Sequence, residues 1–247
     1  MKIESIILVL ILGMLNACSN SIPIKTIALD KKEKILTVIN IMKPKQTDKN
    51  TVLRLLKEGI NETMISQNGY ISSNIHSSLD NNYIINYSQW KSIGDLTVAA
   101  ELVNSGATPK MVKAFNLGKA DYHPVKLVAQ YKQNKNRQIV IDSNNDLLTV
   151  IDIMTPKAGI KKEDLILLLK DTLSTELLTQ DGYISSTLLV SMDNSYVINY
   201  SQWKNKASFY TMIKHLKEGS YPKLAKVFSN AMSDFHPFLI ASKHLKK

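Results

Sequence analysis

The chain has 247 residues, 31 Lys+Arg against 21 Asp+Glu, a formal net charge of +10 and one cysteine. At roughly 100–200 residues per domain, that length suits one large or two small domains. A hydrophobic content of 44% with 21% charged residues, Gly 9 and Pro 7 excludes a disordered or collagen-like polymer. One cysteine excludes an intrachain disulfide framework and a Cys-rich zinc site, and no apolar run reaches the roughly 20 residues of a transmembrane helix.

Lys2 opens the chain, and an apolar run follows from Ile6 to Leu15, broken by Gly13. That length is a signal-peptide core and is too short to span a bilayer. The run ends in Leu15-Asn16-Ala17-Cys18, which resembles the lipobox of bacterial lipoproteins: an aliphatic residue, a small residue, then the cysteine that is acylated. Residues 1–17 are therefore expected to be removed, leaving lipidated Cys18 as the mature N-terminus and membrane anchor. Two or three acyl chains anchor stably, at about 0.8 kcal/mol per buried methylene. The expected location is the bacterial cell envelope, and Ser19 after the cysteine points to the outer membrane if the cell is Gram-negative. Lys2 and Glu4 leave together, so the mature charge stays +10.

The remaining sequence is written twice. Leu36-Thr-Val-Ile-Asn-Ile-Met42 returns as Leu148-Thr-Val-Ile-Asp-Ile-Met154, and Gly69-Tyr-Ile-Ser-Ser73 as Gly182-Tyr-Ile-Ser-Ser186. Tyr83-Ile-Ile-Asn-Tyr-Ser-Gln-Trp-Lys91 returns as Tyr196-Val-Ile-Asn-Tyr-Ser-Gln-Trp-Lys204, and Asp121-Tyr-His-Pro124 as Asp234-Phe-His-Pro237. Ile27-Ala-Leu-Asp30 matches Ile139-Val-Ile-Asp142, so the boundary falls in the polar stretch Gln133–Arg137. The period exceeds the roughly 20–50 residues of a solenoid and indicates duplicated domains, 18–132 and 138–247.

Within one copy, Ile35–Met42 is apolar and β-branched and predicts a strand. Asp48 is positioned to cap a helix carrying Val52, Leu55, Leu56, Ile60 and Met64 on one face, with Leu165, Leu168, Leu169, Leu173 and Leu177 in phase in the second copy. Ile71–Leu79 alternates as a second strand. Asp80-Asn81 and Asp193-Asn194 supply turns, and Tyr83–Trp90 completes a hairpin. A helical region over 95–103, a Pro-started helix over 109–117 and a last strand over 123–131 follow. The order is the ferredoxin-like split βαβ of an α+β fold. One sheet face takes the helices. The other is also apolar, through Tyr83, Ile85 and Tyr87, and needs a cover. Two copies packing sheet to sheet, as an intrachain pseudo-dimeric α+β barrel, would provide it.

The Asn-Tyr-Ser-Gln-Trp-Lys block on the third strand resembles the antibiotic biosynthesis monooxygenase (ABM) domain, across 36–131 and 148–242. The resemblance implies an α+β barrel. It also implies, for some members, oxidation of anthrone-type polyphenols to quinones by molecular oxygen with no metal or organic cofactor. Those members use an Asn and a Trp four residues apart, which here are Asn86 and Trp90, and Asn199 and Trp203. Residues i and i+4 of a strand share a face, and an amide there can stabilise a developing phenolate oxygen as an oxyanion hole does. The family Arg has Lys110 and Lys223 as its nearest counterparts, and Lys loses the planar fork. Haem-degrading relatives would need Asn40 and a helical His, but the copy of Asn40 is Asp152 and His215 occurs in one half only.

His123 and His236, in the Asp-x-His-Pro copies, are further candidates, because a carboxylate tunes an imidazole. A structural role, fixing the start of the last strand, competes with that reading. His76 has Leu189 as its copy and is no shared functional residue. One repeated His per half and no second Cys exclude a metal site. No phosphate-binding Gly-rich loop or Gly-x-Ser-x-Gly elbow is present. Scattered lysines on an exported chain point away from nucleic acid and toward an anionic membrane surface. Two functions compete: a cofactor-independent monooxygenase acting on a small aromatic or quinol-like molecule, and a non-catalytic envelope lipoprotein using the same fold for ligand binding or assembly.

Overall fold

The computed structural model describes residues 27–28, 35–136, 138–141 and 147–246. Cys18, the expected signal peptide, and the matching residues Asp30 and Asp142 lie outside them. In chain order the elements are β1 (Ile27–Ala28), β2 (Leu36–Met42), α1 (Lys49–Gly59), β3 (Tyr70–Ser78), β4 (Ile84–Trp90), α2 (Ile93–Asn104), α3 (Pro109–Gly118) and β5 (Asp121–Lys132). Then follow β6 (Val140–Ile141), β7 (Leu148–Pro156), α4 (Lys162–Thr172), β8 (Tyr183–Ser191), β9 (Val197–Trp203), α5 (Lys206–Lys217), α6 (Pro222–Asn230) and β10 (Ala231–Leu245).

Eight strands close an antiparallel barrel in the order β10-β3-β4-β2-β5-β8-β9-β7. Four come from residues 36–132 and four from 148–245. The long last strands make the joins: β5 pairs with β8, and β10 pairs with β7 at its start and β3 at its end. Closure removes sheet edges, which would otherwise expose unpaired backbone groups.

Side chains alternate across each strand. One set fills the lumen: Ile39, Ile41, Tyr83, Ile85, Tyr87, Ile151, Ile153, Ile198, Tyr200 and Phe238 are all buried there. The apolar face that the sequence left uncovered is thus the barrel interior. His76 lies in it, with Nε2 3.0 Å from the Tyr200 hydroxyl. Burial lowers its pKa to about 4, so it is a neutral packing residue. The segment over 139–141 was expected only to begin the second copy. It pairs instead with β1, and Ile139 and Ile141 pack into the lumen core. Gln202 Nε2 donates to the Val140 carbonyl at 2.8 Å, fixing this segment to the barrel wall.

The opposite strand faces carry the helices. Val38, Met42, Ile75, Ile84 and Trp90 pack against Val52, Leu56, Ile60, Leu96 and Met111, and the second half repeats the arrangement. Each first helix ends in one wide turn, closed by Ile65 N–H to the Ile60 carbonyl and by Leu178 N–H to the Leu173 carbonyl. That turn keeps Ile60, Met64, Leu173 and Leu177 on the buried side. Asp48 does not cap α1, contrary to expectation. It sits in a short 3₁₀ turn with helical dihedrals and makes no side-chain cap bond. Functioning caps occur at Ser92, which accepts from Asp95 N–H, and at Asn205, which accepts from Ser208 N–H. The turns expected at Asp80-Asn81 and Asp193-Asn194 form, and their asparagines adopt positive φ.

Gly69 has φ +69°, and a Cβ there would run into Asp95; Gly106 has φ +81° with open space around it. Gly106→Ala is expected to cost about 1 kcal/mol, the left-handed penalty alone. Gly69→Ala adds a clash and is expected to cost roughly 2–3 kcal/mol. Equilibrium urea unfolding of both variants measures this, and equal losses would show that Asp95 yields freely.

Candidate functional site

Asn86, Ser88 and Trp90 share the helix-facing side of β4, as do Asn199, Ser201 and Trp203 on β9. Both indoles are packed solid: Trp90 is 4% and Trp203 1% exposed. Each stacks edge-on against a tyrosine, Tyr70 at 5.3 Å and Tyr183 at 5.2 Å. Each indole N–H is already used, by Ser88 Oγ at 3.2 Å and Ser201 Oγ at 3.1 Å. The expectation that amide and indole together bracket a flat ligand therefore meets filled space at the indole.

The amides differ. Asn86 and Asn199 Oδ1 are buried with no hydrogen-bond partner among the described residues, and so is Asn40 Oδ1. An orphaned buried acceptor costs about 1–3 kcal/mol. Asn40 faces Asn86 across the β2–β4 ladder, and Tyr122 faces Asn40 from β5. The second half keeps the register with two changes: Asp152 faces Asn199, and Phe235 faces Asp152. Burial raises the Asp152 pKa to about 6, against the opposing hydrogen bond from Ser233 Oγ at 2.6 Å. This carboxyl was noted in the sequence only as a mismatch to Asn40. Its signal was there, since an acid on the apolar strand Leu148–Met154 must be buried.

Lys110 and Lys223 do not reach these groups. Lys110 pairs with Glu58 at 3.0 Å and with Glu62, bracing α3 on α1, and Lys223 pairs with Asp171 at 2.8 Å. Both lie on the outer helix surface, where such pairs contribute little. His215 contacts the Tyr221 hydroxyl at 3.3 Å and is equally remote from the strand amides.

The two Asp-x-His copies come together at one end of the barrel. His123 Nε2 is 2.9 Å from Asp121 Oδ1, and its Nδ1 is 2.8 Å from Asp193 Oδ2. Asp193 belongs to the β8–β9 turn of the other half, where Ser195 N–H also holds it. The arrangement is reciprocal: His236 lies 2.6 Å from Asp234 Oδ1 and 2.5 Å from Asp80 Oδ2 of the β3–β4 turn. Tyr196 donates to Asp121 at 3.1 Å and Tyr83 donates to Asp234. Each histidine is thus held between its own aspartate and a turn aspartate of the other half. The sequence pointed to the His and its neighbour, but Asp80, Asp193, Tyr83 and Tyr196 had no signal linking them to it.

Burial alone would lower the His123 pKa. The hydrogen bonds and charges of Asp121, and then Asp193, outweigh it and hold the pKa above the ordinary value. Burial opposes ionisation of Asp80 and Asp193, but their hydrogen bonds prevail and depress both to about 2. Beside these clusters opens a cavity of about 410 Å³, with Ile41 and Ile153 among its lining residues.

No protein-family model matches the chain, and no curated protein matches it. Solved structures do. An anthrone oxidase-like protein is similar over 88% of this chain and 96% of its own, with 15% identity and a TM-score of 0.74. A candidate monooxygenase from Fusobacterium nucleatum is similar over 87% and 96%, with 9% identity and a TM-score of 0.56. Another from Lactobacillus acidophilus is similar over 87% and 97%, with 11% identity and a TM-score of 0.52. At these identities the likeness shows the fold, an α+β barrel of the monooxygenase-like type.

The raised His123 pKa has a signed consequence for stability. Its contribution is fully present below the unfolded pKa of about 6.5 and is lost as pH rises through the higher folded value. Asp80 and Asp193 act at the other limit: their contribution is present above the ordinary carboxylate pKa near 3.8 and is lost as pH falls toward 2. Thermal unfolding followed against pH should show both flanks. His123→Gln should flatten the alkaline flank and leave most of the acid loss in place, carried by Asp80 and by the hydrogen bonds of Ser195 and Ser191 to Asp193.

Proposed function

We propose that this chain is an envelope-anchored enzyme of the monooxygenase type, oxidising an electron-rich phenolic or quinol-like compound with molecular oxygen. In this reading the two sequence copies fold as an intrachain pseudo-dimer, and lipidated Cys18 tethers it to the membrane. The observation that carries the reading is the pair of buried Asp152 and half-buried Asn199, neighbours across the β7–β9 ladder beneath the helices. It supplies a carboxyl with a pKa near 6 and an amide whose oxygen has no other partner. The barrel likeness to an anthrone oxidase-like protein supports the substrate class.

The chemistry asked of the protein is modest. Asp152 in its ionised form accepts the proton that converts a phenol or its keto tautomer into the electron-rich anion. The Asn199 Nδ2–H donates to the oxygen on which charge develops, and its unpartnered Oδ1 accepts from the ligand O–H before the proton leaves. The anion then reduces dioxygen. One oxygen atom stays on the carbon as a carbonyl, and the other leaves as water with the two hydrogens of the oxidised methylene. The first half, with Asn40 where the second has Asp152, has no such base.

One observation favours the second reading, a ligand-binding lipoprotein without catalysis: both indoles are buried and hydrogen-bonded within the protein. Oxygen uptake with anthrone and hydroquinone substrates separates the two. The enzyme reading expects uptake by the wild type that rises with pH through about 6. It expects a loss on the order of 100-fold in Asp152→Asn, and a smaller loss in Asn86→Ala plus Asn199→Ala. Uptake at the background rate favours the non-catalytic reading, and equal rates above background in all three proteins overturn the roles given to Asp152 and the two amides.

Anchoring is tested separately. Cys18→Ser should move the protein from the membrane to the soluble fraction after cell breakage. Retention of the variant in membranes would contradict the lipobox assignment.

A further inference from the structure

The cavity at the barrel end has two unlike walls, and one of its lining residues, Ser233, also donates to Asp152 at 2.6 Å. Residues 36–132 contribute Lys43, Lys119 and Asp121 to it; residues 148–245 contribute Thr155, Met232 and Asp234. These are matched positions of the two copies, 43 with 155, 119 with 232 and 121 with 234. The aspartates agree and the other two pairs do not. One wall therefore carries two ammonium groups and one carboxylate, and the facing wall carries one carboxylate with the Met232 thioether and the hydroxyls of Thr155, Ser233 and Tyr196. The net charges are opposite, about +1 and −1.

Between the walls lie Ile41 and Ile153, an apolar floor continuous with the lumen core. Both aspartates are about half exposed, 48% for Asp121 and 46% for Asp234. Their histidine and tyrosine partners fix them in place, and a carboxylate oxygen can accept a second donor. The lysines are barely engaged. Lys43 Nζ reaches Asp234 only at 3.7 Å with its side chain 60% exposed. It also lies 4.8 Å over the Tyr83 ring. The Lys119 ammonium makes no hydrogen bond or ion pair among the described residues, and only its backbone N–H is engaged, by the Phe115 carbonyl. Lys119 adopts φ +51° at the end of α3, a left-handed conformation disfavoured for a side chain that large.

We propose that this cavity binds a small zwitterion with an apolar body, of the amino-acid type. The ligand's anionic group meets Lys119 and Lys43, its ammonium group meets Asp234 in place of the loose Lys43 contact, and its hydrocarbon part covers Ile41 and Ile153. A volume of about 410 Å³ falls within the range of small-molecule sites. A purely anionic ligand would be repelled by the Asp234 wall, and a purely cationic one by the wall with both lysines.

Isothermal titration calorimetry on the full chain in detergent tests the proposal with L-leucine, 3-methylbutylamine and 4-methylpentanoate. These share an alkyl body and differ in charge. Leucine is expected to bind at least roughly tenfold more tightly than either singly charged analogue. Lys119→Ala removes the free ammonium. Met232→Lys places a positive charge on the negative wall at a 61% exposed position. Each is expected to weaken leucine roughly tenfold or more with the unfolding temperature unchanged. Binding of either analogue as tightly as leucine overturns the proposal. So does leucine binding indifferent to both substitutions, or the absence of heat from all three compounds at millimolar concentration.

Discussion

The closed barrel is the constraint on which the rest depends. Once β5 pairs with β8 and β10 pairs with β3 and β7, each central strand has a lumen on one side and a helix layer on the other. No face of β4 or β9 is left for water, and six of the seven residues of β9 and all seven of β4 are buried. Any polar group on those strands must therefore find a partner, be neutralised, or serve a purpose that offsets its desolvation. The unusual groups of the barrel strands follow from this rule: neutral His76 in the lumen, the orphaned amide oxygens of Asn40, Asn86 and Asn199, and the carboxyl of Asp152 with its raised pKa.

Much of the fold was legible in the sequence because its signals were local or repeated. Alternation in Leu36–Met42, helical phase in Val52–Met64 and the Asp-Asn turns each report on a few neighbouring residues. The repeat of Tyr83–Lys91 at Tyr196–Lys204 doubled the weight of every such signal. The apolar parity of Tyr83, Ile85 and Tyr87 even required a cover, and the lumen is that cover. Less legible was anything depending on which residues of one copy meet the other. Asp193 reaches His123 across 70 positions and Asp80 reaches His236 across 156. Neither turn aspartate carries a pattern distinguishing it from an ordinary turn former. The same holds for the segment over 139–141, whose apolar residues look like a strand start and in fact pack into the lumen core.

The candidate site was half legible for a related reason. Spacing placed Asn86 and Trp90 on one face correctly, because the period of a strand is fixed. It could not say that Tyr70 and Ser88 would occupy the edge and the N–H of the indole. Spacing describes direction, and function depends on the space at the end of that direction.

Symmetry explains where the two halves are free to differ. The Asp-His-Asp clusters use residues from both halves in exchange, so a change in one copy removes a contact from the other as well. Positions outside that exchange carry no such obligation. Asn40 and Asp152, Lys43 and Thr155, and Lys119 and Met232 are matched positions that depart in polarity or charge, and none takes part in the histidine–aspartate exchange, Lys43 only touching its edge at Asp234. Two of these pairs line the barrel mouth and the third lies beneath the helices. A framework tied by reciprocal contacts thus leaves asymmetry to the positions bordering open or underused space. That gives a physical reason to seek chemistry at Asp152 and binding at Lys119.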